Sequence, residues 1–115
     1  MSKTKLLFIC TANINRSRTA EDLFINSYRY EAKSAGIICH QLGGQQVNQE
    51  LIDWVDMVFV MDEANDYHRS HLIEKFNVDE RKVHVLHISD SYERGDKHLI
   101  EILKLRPTAL GIITN

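Results

Sequence analysis

Residues 6–17, LLFICTANINRS, decide the fold, because they join an apolar run to a polar loop and then to the start of a helix. Residues 6–10 are continuously apolar rather than alternating, which is typical of a parallel strand that is buried on both faces. Helical spacing then begins at Ala20 and continues to Tyr28, so a helix is predicted from about Ser17. The stretch therefore indicates the opening strand, loop and helix of an α/β protein.

Three further segments have the apolar, β-favouring composition of strands. They lie within residues 31–39, at residues 56–62 and at residues 83–88. Helical segments separate them, and such an alternation forms right-handed crossovers with a parallel sheet. We therefore predict a three-layer α/β sandwich, with a four-stranded parallel sheet flanked by helices, in a single domain of residues 1–115.

The segments between the strands predict three more helices. An apolar stripe at residues 47–55 follows the breaker at residues 43–44, and residues 63–76 contain no breaker. A last helix is predicted from Asp96, a plausible N-cap, to about residue 105. Pro107, the only proline, stands where it would stop that helix.

The composition describes an ordinary globular chain and excludes several classes of function. The 115 residues carry a net charge of −2, so neither a nucleic acid nor an anionic membrane is expected as a partner. No apolar run approaches the length of a membrane span, and residues 6–10 are too short for a signal peptide. The two cysteines, Cys10 and Cys39, cannot make a disulfide framework, so a cytoplasmic location is predicted. No cofactor and no metal site are expected.

Loop 10–17 carries the pattern Cys-x5-Arg-Ser at the carboxyl end of the first predicted strand. The residues between Cys10 and Arg16 can curl so that their backbone N–H groups point at one centre, and the following helix aims its positive end at the same place. Arg16 would close this cradle with a two-pronged contact to a tetrahedral anion. The predicted phosphate-binding residues are Thr11, Ala12, Asn13, Ile14, Asn15, Arg16 and Ser17.

Cys10 is the candidate nucleophile of this loop. A thiol beside a helix N-terminus and an arginine readily becomes a thiolate, and the hydroxyl of Ser17 could donate a hydrogen bond to the sulfur. Attack of the thiolate on phosphorus would form a phosphocysteine and split one hydrolysis into two easier steps. The alternative interpretation is a buried, inert cysteine at the end of a strand, with Arg16 in solvent.

Residues 7–22 closely resemble the phosphate loop of the low-molecular-weight protein tyrosine phosphatases. The resemblance assigns the roles of nucleophile, loop-bracing asparagine, phosphate-binding arginine and thiolate-supporting serine to Cys10, Asn13, Arg16 and Ser17. Weaker likenesses at residues 34–36 and 60–62 extend it over most of the chain. The resemblance implies a cysteine-dependent hydrolase that acts on a phosphorylated protein or a small phosphoester.

The same resemblance implies a general acid after the fourth strand. The family has an Asp-Pro-Tyr setting there, and residues 89–92 of this chain are SDSY. Asp90 would protonate the leaving oxygen and then activate water against the phosphocysteine. Tyr92 would line the entrance and stack against an aromatic substrate. The alternative for Asp90 is an ordinary turn residue or helix cap.

This chain departs from the family pattern at several positions of the site. Ala12 stands where the family often has glycine, which would cost about 1 kcal/mol if that position needs a positive φ. Asn15 replaces a second cysteine and so excludes the protective disulfide of the loop. Serines replace the prolines that flank Asp90, which loosens the acid, and the loop between Gly36 and Gly43 is short. Phosphotyrosine preference therefore does not follow from the resemblance.

Two other functions stay open for this loop. The first is an inactive domain of the same fold that only binds phosphate or a phosphorylated partner. The second is an arsenate reductase, which needs further cysteines that residues 40–115 lack. The oligomeric state is also open.

Several other residues are interpreted as structural. His68 and His71 are three residues apart on a predicted helix, and a solvated face is favoured there over a metal site. Asp66, in the same segment, is also predicted to lie on a solvated face. Trp54 and Cys39 are predicted to be core residues.

Overall fold

Four parallel strands form one sheet in the computed structural model, which describes residues 3–39 and 43–108. The strands are β1 (Thr4–Cys10), β2 (Tyr30–Gly36), β3 (Met57–Val60) and β4 (Val83–Val85). Their order across the sheet is β2-β1-β3-β4, and each adjacent pair is parallel. The predicted four-stranded parallel sheet is confirmed, and β1 lies in its interior, as its unbroken apolar run requires.

Helices cover both faces of this sheet. They are α1 (Arg16–Leu23), α2 (Gln49–Trp54), α3 (His68–Lys75) and α4 (Lys97–Thr108). Ala20 of α1 and Leu103 of α4 share one hydrophobic cluster, whereas Leu51 of α2 and Leu72 of α3 share the other. The predicted three-layer sandwich is therefore confirmed. Among the described residues, no helix is both long and apolar enough to span a bilayer.

The side chains of β1 alternate between the two clusters and fix the strand in place. Phe8 and Cys10 face the α1/α4 side, while Leu7 and Ile9 face the α2/α3 side. Phe8 is fully buried and stacks on Phe59 with ring centroids 5.3 Å apart. Truncating such an aromatic side chain costs about 3–5 kcal/mol. The buried side chains of β1 therefore fix the position of Cys10 at the carboxyl edge of the sheet.

Several elements are shorter than predicted, among them α1 and β4. α1 ends at Leu23, because the N–H of Phe24 donates to Glu21 and tightens the chain into a turn, and Tyr28 is 82% exposed. β4 ends at Val85, because His87 has a φ of 57° and interrupts the regular ladder. Residues 40–42 of the short loop after β2 lie outside the described residues.

The last two helices also differ from their predicted bounds. α3 begins at His68 rather than at residue 63, because Asp62 caps the preceding turn and Tyr67 has a left-handed φ of 53°. Asp96 caps α4 as predicted, since its carboxylate accepts the N–H of Leu99 at 3.2 Å. The prediction that Pro107 stops this helix was wrong, because α4 continues to Thr108. Pro107 removes one N–H donor from the helix, and its fixed φ is compatible with a helical backbone.

Candidate active site

Loop 10–17 lies at the carboxyl edge of the sheet, where ligands bind in open parallel α/β folds. Cys10 is the last residue of β1 and Arg16 is the first residue of α1, so the loop spans the gap between a strand end and a helix start. The side chains of Cys10, Arg16 and Ser17 are all buried, with Arg16 only 1% exposed. The alternative interpretation of this loop placed Arg16 in solvent, and the burial of its side chain contradicts that placement.

The sulfur of Cys10 lies 3.0 Å from the hydroxyl oxygen of Ser17. That oxygen already accepts a hydrogen bond from the side-chain amide of Asn13 at 2.7 Å. The hydroxyl of Ser17 still has its own proton to donate while it accepts from Asn13, so Asn13, Ser17 and Cys10 form a connected hydrogen-bond chain.

Asn13 connects the loop to the rest of the site. Its amide nitrogen also donates to the hydroxyl of Ser34 at 2.9 Å, and its amide oxygen accepts the backbone N–H of Gln45 at 2.9 Å. Its backbone is left-handed, with a φ of 57°, a conformation that asparagine tolerates better than most residues. Ala12 is not among the residues with positive φ, so the strain considered for an alanine at that position does not arise.

Gly36, the last residue of β2, lies directly against this loop. A Cβ atom there would come within 2.8 Å of the carbonyl carbon of Ala12 and 2.9 Å of the nitrogen of Asn13. Both are backbone atoms that cannot turn aside as a flexible side chain can. The close approach of β2 therefore supports the curled shape of the loop and requires glycine.

The guanidinium of Arg16 contacts three groups from two parts of the chain, the turn at residue 66 and the segment at residues 88–90. Its Nη1 donates to the carbonyl oxygen of Ile88 at 2.8 Å. Its Nη2 lies 3.1 Å from the carboxylate of Asp66 and 3.7 Å from that of Asp90. These contacts hold the guanidinium of Arg16 in one orientation at the edge of the sheet, where loop 10–17 ends.

The structure places Asp90, the predicted general acid, next to Arg16, the predicted phosphate-binding arginine. Asp90 follows β4, is 69% exposed, and points its carboxylate at Arg16. The hydroxyls of Ser89 and Ser91 on either side of it bond to each other at 3.0 Å. Tyr92 is partly buried and packs against the cluster beneath α1 and α4. Asp90 therefore lies next to Arg16, and the loop that joins Arg16 to Cys10 starts at the same edge of the sheet.

His68 is part of this site and was not identified from the sequence. It is 1% exposed, so the prediction of a solvated face was wrong for it. Its Nδ1 accepts the backbone N–H of Asp62 at 3.0 Å, which leaves the proton on Nε2, and Nε2 donates to the hydroxyl of Thr11 at 3.0 Å. Burial, together with the charge of Arg16, lowers the pKa of His68 to about 4, so the ring is neutral at pH 7.

Asp62 and Asp66 were also not identified as site residues, because Asp62 was assigned to the end of the third predicted strand and Asp66 to a solvated helix face. The carboxylate of Asp62 accepts the backbone N–H groups of Asn65 and Asp66 at 2.9 and 3.0 Å. Burial alone would raise the pKa of Asp62. The two backbone donors and nearby positive charge outweigh that effect, so the pKa lies below its ordinary value. The available signal was the position of Asp62, which follows β3 at the same sheet edge as Cys10.

The remaining candidates lie outside the site or differ from their predictions. Trp54 is partly buried and packs against the α2/α3 cluster, and the ammonium of Lys33 lies 4.2 Å from its ring centroid. Cys39 is a partly exposed free thiol beyond the end of β2 rather than a core residue, because β2 stops at Gly36. Within residues 3–39 and 43–108, no group of three or more His, Cys, Asp or Glu side chains could hold a metal ion.

Comparison with known proteins defines the class of fold. No family model matches the chain, and no curated protein matches it in sequence. Solved structures do match it: the sheet order and the strand–loop–helix at Cys10 are those of the low molecular weight protein tyrosine phosphatase fold.

Three of these structures illustrate the likeness. The low molecular weight protein tyrosine phosphatase from T. tengcongensis is 18% identical, with a TM-score of 0.72 over 95% of this chain and 96% of that one. The tyrosine phosphatase Wzb from Escherichia coli K30 is 19% identical, with a TM-score of 0.73 over 95% and 96%. The YwlE arginine phosphatase from Geobacillus stearothermophilus is 22% identical, with a TM-score of 0.69 over 94% of each chain. The TM-scores show a shared fold, and at identities this low the likeness extends to the fold alone.

Proposed function

We propose that the chain is a phosphomonoester hydrolase with Cys10 as its nucleophile. The observation that carries the proposal is the 3.0 Å contact between the buried sulfur of Cys10 and the hydroxyl of Ser17, in a loop that also carries the buried side chain of Arg16. A cysteine sulfur in contact with a hydroxyl, in a loop at a helix start that carries a buried arginine, suits attack on a phosphoryl group. Solved structures with this fold include tyrosine phosphatases and an arginine phosphatase, which supports phosphatase chemistry.

The bound phosphoryl group would be held mainly by electrostatics. Backbone N–H groups of residues 11–17 and the N-terminus of α1 supply donors, and the first turn of α1 contains no acidic residue to oppose an anion. Arg16 adds a full positive charge that is already oriented by its bond to Ile88. Donors fixed before the reaction stabilise the charge that develops on the transferring oxygens.

The reaction would take place in two balanced steps. In the first, the thiolate of Cys10 attacks phosphorus, the bond from phosphorus to the leaving oxygen breaks, and Asp90 gives its proton to that oxygen. In the second, the Asp90 carboxylate takes a proton from water as the water oxygen attacks phosphorus. The sulfur–phosphorus bond breaks, which releases inorganic phosphate and restores both the thiolate and the protonated acid.

Two exposed apolar side chains lie next in sequence to charged or loop residues of the proposed site. Ile14 of the loop is 41% exposed and Tyr67, beside Asp66, is 62% exposed. We propose a phosphorylated protein or a small phosphoester as substrate, and a cytoplasmic location where a thiol nucleophile stays reduced. A panel of phosphotyrosine, phosphoserine and phosphoarginine peptides with sugar phosphates identifies the preferred class.

The test is turnover of p-nitrophenyl phosphate by the wild type and by Cys10→Ser. Loss of the nucleophile should lower kcat by about a thousandfold or more. Cys39→Ser is the matched control, because it removes the other free thiol, and it should keep wild-type activity. Acid-quenched mass spectrometry of wild-type protein during turnover should show a phosphoryl adduct on Cys10.

Three outcomes would overturn the proposal. Wild-type protein that binds inorganic phosphate by calorimetry but hydrolyses no phosphoester in the panel is a binding module. Arsenate-dependent oxidation of thiols without phosphate release indicates a reductase. Full activity in Cys10→Ser excludes the phosphocysteine mechanism.

A further inference from the structure

The chain that carries Asp90 is fixed to the rest of the molecule on both sides of this residue. On the upstream side, Arg16 Nη1 donates to the carbonyl oxygen of Ile88 at 2.8 Å. On the downstream side, the anchor is Arg94, which lies just before α4. Residues 89–93, called here the acid segment, are therefore held between two anchors.

The downstream anchor consists of four hydrogen bonds to loop 10–17 and α1. The Arg94 guanidinium makes a two-pronged contact with Asp22, Nε to Oδ2 at 2.9 Å and Nη2 to Oδ1 at 2.8 Å. The backbone N–H of Arg94 donates to the side-chain oxygen of Asn15 at 3.0 Å. The N–H of Gly95 donates to the hydroxyl of Thr19 at 3.1 Å. Asn15 immediately precedes Arg16, so this anchor reaches the phosphate cradle itself.

The acid segment has few other means of holding its shape. Both serines and Asp90 are exposed, and the segment contains no proline to restrict the backbone. Tyr92 alone packs against the core cluster, and only partly. Apart from the Ser89–Ser91 hydrogen bond and the 3.7 Å approach of Asp90 to Arg16, the position of the Asp90 carboxylate therefore depends on where the two anchors place the ends of the segment.

We propose that Arg94 is a positioning residue for the acid. By holding the acid segment on Asp22 and Asn15, it places the carboxyl of Asp90 beside the leaving oxygen of a phosphoester bound at Arg16. This inference depends on the proposed function and deepens it, because it explains how the acid is held in a chain that lacks the flanking prolines.

Leaving-group dependence separates this role from a merely structural one. Protonation by an acid matters most when the leaving oxygen is a poor leaving group, as in phenyl phosphate, and least when it is a good one, as in p-nitrophenyl phosphate. The kcat/KM for p-nitrophenyl phosphate divided by the kcat/KM for phenyl phosphate therefore measures how well Asp90 is placed. This ratio rises when the acid is absent or displaced. Asp90→Asn gives the ratio for an absent acid.

Arg94→Ala should raise this ratio about tenfold, in the same direction as Asp90→Asn, because a displacement of about 1 Å is costly in an aligned site. Asp22→Asn should raise it by a smaller factor, and Arg94→Lys, which keeps charge but not the planar fork, should lie between Ala and wild type. The affinity for inorganic phosphate should stay within about twofold of wild type, because phosphate makes no demand on the acid.

Arg81→Ala is the matched control, because it removes a similar two-pronged contact with Asp79 in the turn at residues 79–82. It should leave the ratio unchanged. Thermal unfolding of each variant establishes that the protein is folded, and the exchanged pair Asp22→Arg with Arg94→Asp should restore part of the wild-type ratio.

The inference is wrong if wild type and Asp90→Asn differ in the ratio while folded Arg94→Ala and Arg94→Lys both match wild type. It is also wrong if Arg94→Ala weakens phosphate binding as strongly as it lowers kcat/KM, because Arg94 would then act on the cradle. Failure of the proposed function looks different, since wild-type protein would then turn over neither substrate.

Discussion

The guanidinium of Arg16 lies 3.1 Å from the carboxylate of Asp66, and this ion pair joins the first residue of α1 to the turn before α3. Arg16 is 1% exposed and Asp66 is 26% exposed, so the pair is only partly screened by solvent. A phosphate dianion that binds Arg16 therefore arrives next to a carboxylate that opposes it. Asp66 orients the guanidinium but also weakens anion binding.

Asp66→Asn should strengthen the binding of inorganic phosphate. The amide keeps an oxygen that can accept from Arg16 and removes one negative charge, so the affinity at pH 7 should rise about fivefold. Titration calorimetry measures this directly. Asp79→Asn, which removes a carboxylate from a distant exposed pair with Arg81, should change nothing. Weaker binding in Asp66→Asn would mean that orientation of Arg16 outweighs repulsion.

His68 should make the stability of the protein depend on pH in the acid range. Burial lowers the pKa of its ring from the ordinary 6.5 to about 4. Between these values the unfolded chain binds more protons than the folded chain, so the free energy of unfolding falls as the pH drops from 6.5 to 4. The loss from this one group is about 3 kcal/mol.

Urea unfolding at pH 7 and at pH 4 measures this loss. In His68→Gln the difference between the two pH values should shrink by about the same 3 kcal/mol. His98→Gln is the control, because His98 is exposed and should retain the wild-type difference. An unaltered pH dependence in His68→Gln would show that His68 is not held neutral by the fold.

The first strand and loop 10–17 could be predicted from the sequence because their signals are local. The apolar run of residues 6–10 encodes burial on both faces, and Leu7, Phe8 and Ile9 are indeed completely buried. The spacing of Cys10 and Arg16 predicted a loop between a strand end and a helix start, and Cys10 does end β1 while Arg16 begins α1. Asp90 needed the family resemblance, because a single aspartate in a loop has no pattern of its own.

The rest of the site could not be predicted, because it depends on contacts between distant parts of the chain. Residues 63–67 have helical composition, but the carboxylate of Asp62 closes them into a turn instead. That turn is what buries His68 beneath Thr11. The bond from Arg94 to Asp22 joins residues 72 positions apart, which no spacing rule encodes.

Asn13→Ala and Asn13→Gly should separate hydrogen bonding from backbone strain in the loop. Both variants remove the side-chain bonds to Ser17, Ser34 and Gln45, at a cost of about 1 kcal/mol each. Only alanine also bears the cost of a left-handed backbone at φ 57°, which is about 1–2 kcal/mol. Urea unfolding should therefore rank wild type, then Gly, then Ala. Equal stabilities of Gly and Ala would mean that position 13 leaves the left-handed region when its bonds are lost.

Gly36→Ala should impair the cradle more than the fold. The added methyl would lie 2.8–2.9 Å from backbone atoms of Thr11, Ala12 and Asn13, so loop 10–17 must shift outward. Phosphate affinity measured by calorimetry should fall about tenfold or more, because N–H donors aimed at one centre lose their alignment. Ala32→Ser, on the same strand and away from the loop, is the control and should bind phosphate as wild type does. If folded Gly36→Ala binds phosphate normally, then the loop adapts to the methyl and its curled shape does not depend on the close approach of β2.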